Sequence, residues 1–247
     1  MIDAIICDWN RTIFEDRYEE VFFEDLFKKV MLEAIKGLNI VKIWSMLQAQ
    51  NRCKRLSHRL EIDSKYEYAA EIIAILNKNV INGIHISFLQ EYTDIYVNHA
   101  TNRLDRRILD PLRTIKSSKN IRLGVISSGY AAGIEQILKR AGYIFDFVKA
   151  NDFEINSGII TKFKLNIFNN KYETLKSLLD EYGIDCRNVV YIGDDWQDED
   201  CLGKVGYPVV PFLAKDRYRK YFFEKLNAFV PKDKKEFEVY LQSAIGR

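Results

Sequence analysis

The residue types able to do chemistry together in this chain are Asp8, the run Ser127-Ser128-Gly129, Lys171, and Asp194 with Asp198. Asp8 follows the apolar run Ile2–Cys7, the serines follow Ile121–Ile126, and Gly193-Asp194-Asp195 follows Val189–Ile192. If these runs are strands of one parallel sheet, their carboxyl ends share a rim, the edge where ligands of such sheets bind. Carboxylates crowded on one rim repel, and their pKa values climb unless a cation joins them. A hard cation with oxygen ligands, Mg²⁺, resolves that conflict. Lys171, which opens the helix before the Val189 run, is placed to help. Singly, each residue has a plainer reading. An Asp after a strand is a turn former or cap, Ser-Ser-Gly before a helix is an N-cap, and Lys171 is a solvated helix lysine. Asp194, Asp195, Asp198, Glu199 and Asp200 also fit one acidic helix start. Their order along the chain is what argues for a site.

The elements that must position them alternate. Ile2–Cys7 reads as a buried strand ending in a polar loop, Asp8-Trp9-Asn10-Arg11-Thr12. From Glu15 the spacing is helical, with Phe22, Leu26, Val30 and Ala34 repeating at i+4. Helical patterns continue over 40–60, 66–76 and 84–96, and no strand signal appears before about residue 107. Strands and helices then alternate. Pro111–Ser117 is predicted helical, Ile121–Ile126 a strand and Ala131–Ala141 a helix. Phe147–Ala150 is strand-like, and Asn156-Ser157-Gly158 signals a hairpin within Phe153–Thr161. Lys171–Tyr182 is an amphipathic helix closed by Gly183. Val189–Ile192, Tyr207–Val210 and Ala228–Val230 are strands, and Lys235–Leu241 is a final helix. Such alternation implies a parallel sheet covered on both faces. The expected fold is α/β: a Rossmann-like, three-layer core with a central parallel sheet, and an all-helical insertion after the first strand.

Composition narrows the function. At 247 residues, with 47% apolar and 29% charged, the chain can build a full core and is not disordered. Its 37 Lys and Arg nearly cancel 35 Asp and Glu, and a net charge of +2 lacks the basic excess of a dedicated nucleic-acid binder. The four cysteines are scattered and the three histidines unclustered, which speaks against a disulfide framework and against zinc. No apolar run reaches membrane-spanning length and no signal peptide is visible. The expectation is a cytoplasmic protein, monomer or homodimer, with a small-molecule ligand and neither membrane nor nucleic acid as partner.

The order strand–Asp8-x-x-x-Thr12, strand–Ser127, Lys171, strand–Gly193-Asp194-x-x-x-Asp198 resembles the four-motif pattern of the haloacid dehalogenase-like superfamily. The stretch VISSGYAAGIEQILKRAGYIFDFVKANDFEINSGIITKF, followed by the Lys171 helix and YIGDDWQDEDCL, is similar to its phosphoserine-phosphatase-like branch. The resemblance implies a core domain of 1–14 and 107–247, with a helical cap at 15–106. It implies a Mg²⁺-dependent phosphatase of a small phosphorylated metabolite, with Asp8 as the nucleophile forming an aspartyl-phosphate. Ser127, with the backbone around Ser128 and Gly129, would hold phosphoryl oxygens, and Thr12 would steady the loop beside the substrate. Lys171 would bridge Asp8 and the phosphate. Asp8, the Asn10 carbonyl and Asp194 would hold the metal, with Asp198 acting through metal water or Lys171.

Asn10 departs from the family, whose phosphatases usually carry a second aspartate there as general acid and base. An amide keeps the shape but cannot exchange that proton, and such help is worth about 10²–10⁴-fold. The departure leaves open a non-catalytic phosphate-binding protein or a phosphotransferase. Asp16 is a weak candidate for a replacement acid. Arg52, Arg55 and Arg59, beside Lys54 and His58, fall on one helix face and read either as an anion site or as a solvated basic face. Trp9 and Tyr130 read as pocket wall or packing, Cys7 as core, and Phe22, Phe23 and Phe27 as a face able to serve an interface.

Overall fold

A computed structural model describes residues 2–15, 18–57, 65–167 and 170–246, with backbone alone for 18–21, 54–57 and 65–69. The first strand, β1 (Ala4–Cys7), is buried along its whole length and lies between two parallel neighbours. On one side is β2 (Arg122–Tyr130), with Cys7 opposite Val125. On the other is β5 (Val189–Ile192), with Cys7 opposite Ile192. The β-branched, uncharged sequences of β1 and β5 suit strands covered on both faces. The full order is β4-β3-β2-β1-β5-β6, where β3 is Phe147–Asn156, β4 is Ile159–Lys164 and β6 is Tyr207–Val209. Only the β3–β4 pair is antiparallel among the pairings described. Strand order reverses between β1 and β5, the switch point at which such sheets open a crevice at their carboxyl ends.

The chain divides into two compact units. The first comprises 1–18, 97–150 and 166–247. Ala4, Ile6 and Tyr191 share a core cluster with Leu175, Leu178 and Leu179 of α7 (Lys171–Tyr182). Leu202 of α8 (Glu199–Lys204) and Phe222 of α9 (Asp216–Leu226) complete it. Gly183 closes α7 in the left-handed region at φ 65°, as a glycine there permits. Outside that cluster, α5 (Arg106–Ser118) packs against β2 and against α10 (Lys234–Ile245), while α6 (Ala131–Arg140) follows β2 directly.

Local chemistry moves several boundaries. The proline signal placed the start of α5 at Pro111, but Asp105 caps the helix one turn earlier by accepting from the Arg107 N–H at 2.9 Å. β2 runs four residues further than its apolar run, through Ser127, Ser128 and Gly129 to Tyr130. The expected Ala228–Val230 strand is reduced to a single bridge between Val209 and Phe229.

The second unit comprises 19–96 and 151–165. It holds most of α1 (Tyr18–Lys36), α2 (Ile40–Ser57), α3 (Lys65–Leu76), a π-helical turn at Asn77–Ile81, and most of α4 (Ile86–Ala100). Residues 151–164 of the β3–β4 hairpin, which the sequence grouped with the rest of 107–247, fall in this unit. Asn77 explains why: its side chain donates to the Phe163 carbonyl at 3.0 Å and accepts from the Phe163 N–H at 2.6 Å. The backbone at 83–86 also runs beside the hairpin, with Gly83 N–H donating to Ile160 O and Ile160 N–H to Ile84 O. Ser157 and Gly158 both take positive φ at the hairpin turn, which matches the strand twist. Phe22 is fully buried, and Phe23 packs on Phe163 at 4.9 Å. These two rings, read from sequence as part of an interface face, pack within the unit: Phe22 against Tyr92 and Tyr96 of α4, and the half-buried Phe23 against Phe153 and Phe163 of the hairpin. No helix among the described residues is long and apolar enough to cross a membrane.

Candidate active site

Asp8 stands where β1 ends. Its N–H still donates to the Ile192 carbonyl at 2.8 Å, and the chain then turns sharply. The Trp9 carbonyl accepts from the N–H groups of Thr12, Ile13 and Phe14 at 3.0–3.3 Å. The Trp9 ring is buried and stacks on Phe14 at 5.2 Å, so Trp9 anchors the loop rather than lining a pocket mouth. Tyr130 is likewise buried, and Cys7 lies in the core. Arg11 takes φ 53°, a strained value for a side chain of its size. Asn10 is half-buried beside it. Thr12 is fully buried, and its hydroxyl has no hydrogen-bond partner among the described residues.

Lys171 is the first residue of α7, yet its side chain is only 3% exposed. Its ammonium donates to Asp8 Oδ1 at 2.7 Å and to Asp198 Oδ1 at 2.8 Å. A solvated helix lysine would do neither. Burial works against the Lys171 charge, but the flanking carboxylates outweigh it and hold its pKa well above the usual value. Asp198 Oδ1 also accepts from the Tyr191 hydroxyl at 2.8 Å. Asp198 Oδ2 accepts from the backbone N–H groups of Asp194 at 3.1 Å and Asp195 at 3.4 Å. Gly193 makes that turn possible, since a Cβ there would lie 2.5 Å from the Cβ of Asp198. Asp195 caps the following turn by accepting from Gln197 N–H at 2.9 Å.

Asp8, Asp194 and Asp198 are all buried and can each offer an oxygen within 4.8 Å of the others. Burial pushes the Asp8 carboxyl up to about 8 even with Lys171 beside it. Burial, then the charges of Asp8, Asp195 and Asp198, push Asp194 up to about 9. One ammonium does not balance three buried carboxylates, and a small divalent cation with oxygen preference fits this donor set. With the Asp198 oxygens already engaged by four donors, Asp8 and Asp194 are the carboxylates with capacity to spare.

Ser127 is fully buried, and its hydroxyl accepts from the Gly129 N–H at 2.9 Å. The register that sets Val125 opposite Cys7 carries Ser127 two residues past the last β1–β2 pair, at the sheet end where Asp8 leaves β1. Its cap reading is excluded, because Tyr130 precedes α6 and no side chain caps that helix. Ser128 is half-buried. Elsewhere, Arg52 is paired with Glu71 at 3.1 Å, while the side chains of Lys54 and Arg55, and Asp16, His58 and Arg59, lie outside the described residues.

Residues 5–203 match the pattern of the haloacid dehalogenase-like hydrolases. The chain belongs to that family. Part of it is 31% identical, over 112 residues, to the phosphoserine phosphatase SerB2 of Mycobacterium tuberculosis. That match takes in 43% of this chain and 27% of the relative, so the likeness spans about a quarter of the relative's length. Among solved structures, a phosphoserine phosphohydrolase-like protein from Francisella tularensis superposes with a TM-score of 0.61 at 16% identity, covering 97% of this chain and 99% of its own. A phospho-aspartyl intermediate analogue of phosphoserine phosphatase gives 0.56 at 17% identity, covering 97% and 98%. These structural likenesses speak for the fold.

In this member of the hydrolase family, Tyr191 is the site residue that sequence reasoning missed. An aromatic in a buried aliphatic strand reads as packing. Its position two residues before Gly193 was the available signal, since alternate strand residues share a face.

Proposed function

We propose that the chain is a Mg²⁺-dependent phosphohydrolase of a small phosphomonoester, with Asp8 as nucleophile. The observation that carries this is the buried Lys171 ammonium, hydrogen-bonded at once to Asp8 and Asp198. It orients the Asp8 carboxyl and works against the rise in pKa that burial imposes, which a nucleophile needs and a structural aspartate does not.

Asp8 and Asp194, with the backbone carbonyl of Asn10, would hold the cation. Mg²⁺ there supplies charge neutralisation for the incoming phosphoryl group. The chain's own residues do the rest. An Asp8 oxygen forms a bond to phosphorus as the ester P–O bond breaks in line with it, leaving an aspartyl-phosphate and the alcohol. Lys171 offsets negative charge as it gathers on the transferring group. Ser127 and the N–H groups near Ser128 and Gly129 would hold phosphoryl oxygens, and Thr12 would steady the loop. Asp198 positions Lys171 and fixes the turn that presents Asp194. Water then attacks phosphorus, releasing phosphate and restoring Asp8.

The departing oxygen needs a proton that the Asn10 amide cannot give. This favours a second reading, phosphate binding with little or no turnover. Phosphate release from a panel of phosphomonoesters, with Mg²⁺ or with EDTA, tests both. The panel begins with phosphoserine, because relatives of this chain are named for it. Mg²⁺-dependent release abolished in Asp8→Asn is expected. Release that persists in EDTA or in Asp8→Asn would refute the nucleophile. Binding of phosphate without release, converted to turnover by Asn10→Asp, would establish the second reading.

A further inference from the structure

The α1–α2 hairpin of the second unit is apolar on both of its faces. Its inner face is satisfied: Leu26, Val30 and Ala34 of α1 and Met46 and Ala49 of α2 are buried. Its outer face is not. Leu32 and Ile35 near the end of α1 are more than half exposed. Beyond them Leu38 is 82%, Ile40 76%, Val41 82% and Trp44 64% exposed, and Leu47 continues the row one turn on. The spacing of Ile40, Trp44 and Leu47 is that of one helix stripe. At those exposures the row presents on the order of 900 Å² of accessible surface, above the few hundred Å² usual for an apolar patch on a monomer and comparable to the ~800 Å² each partner buries in a standard interface.

We propose that this face is where two copies of the chain associate, each laying α2 of its hairpin across α1 of the other. Charge selects that occupant. α1 carries five acids and three lysines, whereas α2 carries four basic residues and no acid. A two-fold pairing of α2 on the partner's α1 therefore sets a basic helix sequence against a net acidic one, and does so twice by symmetry. An anionic lipid surface would meet the acids of α1 as well as the bases of α2. Trp44, the largest exposed side chain in the row, is the anchor of such an interface. The interface draws on no residue of the Asp8 site.

Light scattering on the full chain, after size exclusion at about 1–100 µM, measures the association directly. The expected mass is twice the 29.0 kDa of one chain. Val41→Glu with Trp44→Glu is expected to weaken association by ~100-fold or more, as loss of central anchors does. Trp44→Phe is expected to retain the dimer. Both variants alter exposed side chains, so an unchanged thermal melt monitors the fold. A wild-type monomer at every concentration overturns the proposal. So does a dimer indifferent to the double substitution. A monomer that co-floats with phosphatidylglycerol-containing vesicles also overturns it, and reassigns the face to lipid.

Discussion

A lysine ammonium enclosed with two carboxylates is expensive to assemble and more expensive to disrupt. Removing Lys171 takes from Asp8 and Asp198 the buried ammonium that both accept from, and such losses cost about 3–5 kcal/mol. Lys171→Met is therefore expected to lower unfolding free energy in urea by that amount. Adding Asp8→Asn should return part of it, because the second change removes a buried ionisable group that has lost its ammonium. A loss in the double variant equal to the sum of the Lys171→Met and Asp8→Asn losses would show that the Lys171–Asp8 contact of 2.7 Å carries no coupling. Tyr191→Phe removes a single hydrogen bond to an ionised acceptor, worth about 1.5–3 kcal/mol in stability. If Tyr191 positions Asp198 for the reaction, kcat falls while KM holds; a stability loss with unchanged kcat makes it structural only. Asp8, Lys171, Asp194 and Asp198 were legible because charged residues after or beside apolar strands are unusual in combination. Tyr191 was not, because its partner is seven residues away and meets it only when the chain folds back after Gly193.

Elements were legible where periodicity was strong and displaced where one side chain overrode it. β1 and β5 read clearly as apolar runs. α5 began earlier because Asp105 caps it, and α9 was unmarked because only Phe222 of its 11 residues is buried, too little for a stripe. The hairpin's membership of the second unit depends on Asn77 and Phe163, 86 positions apart, which no local pattern reports. Asp146 does similar work in the first unit. It accepts from Lys116 at the end of α5 at 2.6 Å and from the Leu123 N–H at the start of β2 at 2.7 Å. Burial works to raise its pKa, but Lys116 and the Leu123 N–H outweigh that and hold it below the usual 3.8. A depressed acid stabilises the fold above its unfolded pKa and loses that contribution as pH falls through the folded value. Asp146→Asn is thus expected to cost about 1–2 kcal/mol at pH 7. The gap between wild type and variant should close below about pH 4, and a gap constant down to pH 2.5 would exclude an electrostatic role.

At the scale of the whole molecule, a net charge of +2 conceals three carboxylates concentrated in the core of the first unit. Residues 8, 194 and 198 come from distant parts of the sequence, so the unfolded chain cannot present them together. A cation that binds the folded set therefore stabilises the fold by mass action, by about 2.7 kcal/mol at 100 times its Kd. For a chain of this size that is a rise of roughly 5–10 °C in melting temperature. Mg²⁺ added to EDTA-treated protein should produce that rise, and Asp194→Asn should abolish it while itself folding well, since a neutral amide matches the protonated form that burial favours there. The effect should also be local. Hydrogen exchange is expected to slow at 8–14 and 193–198 on adding Mg²⁺ and to stay unchanged along α1 and α2, which contribute no carboxylate to the set. No melting shift in the wild type would mean that the three carboxylates share protons rather than a metal.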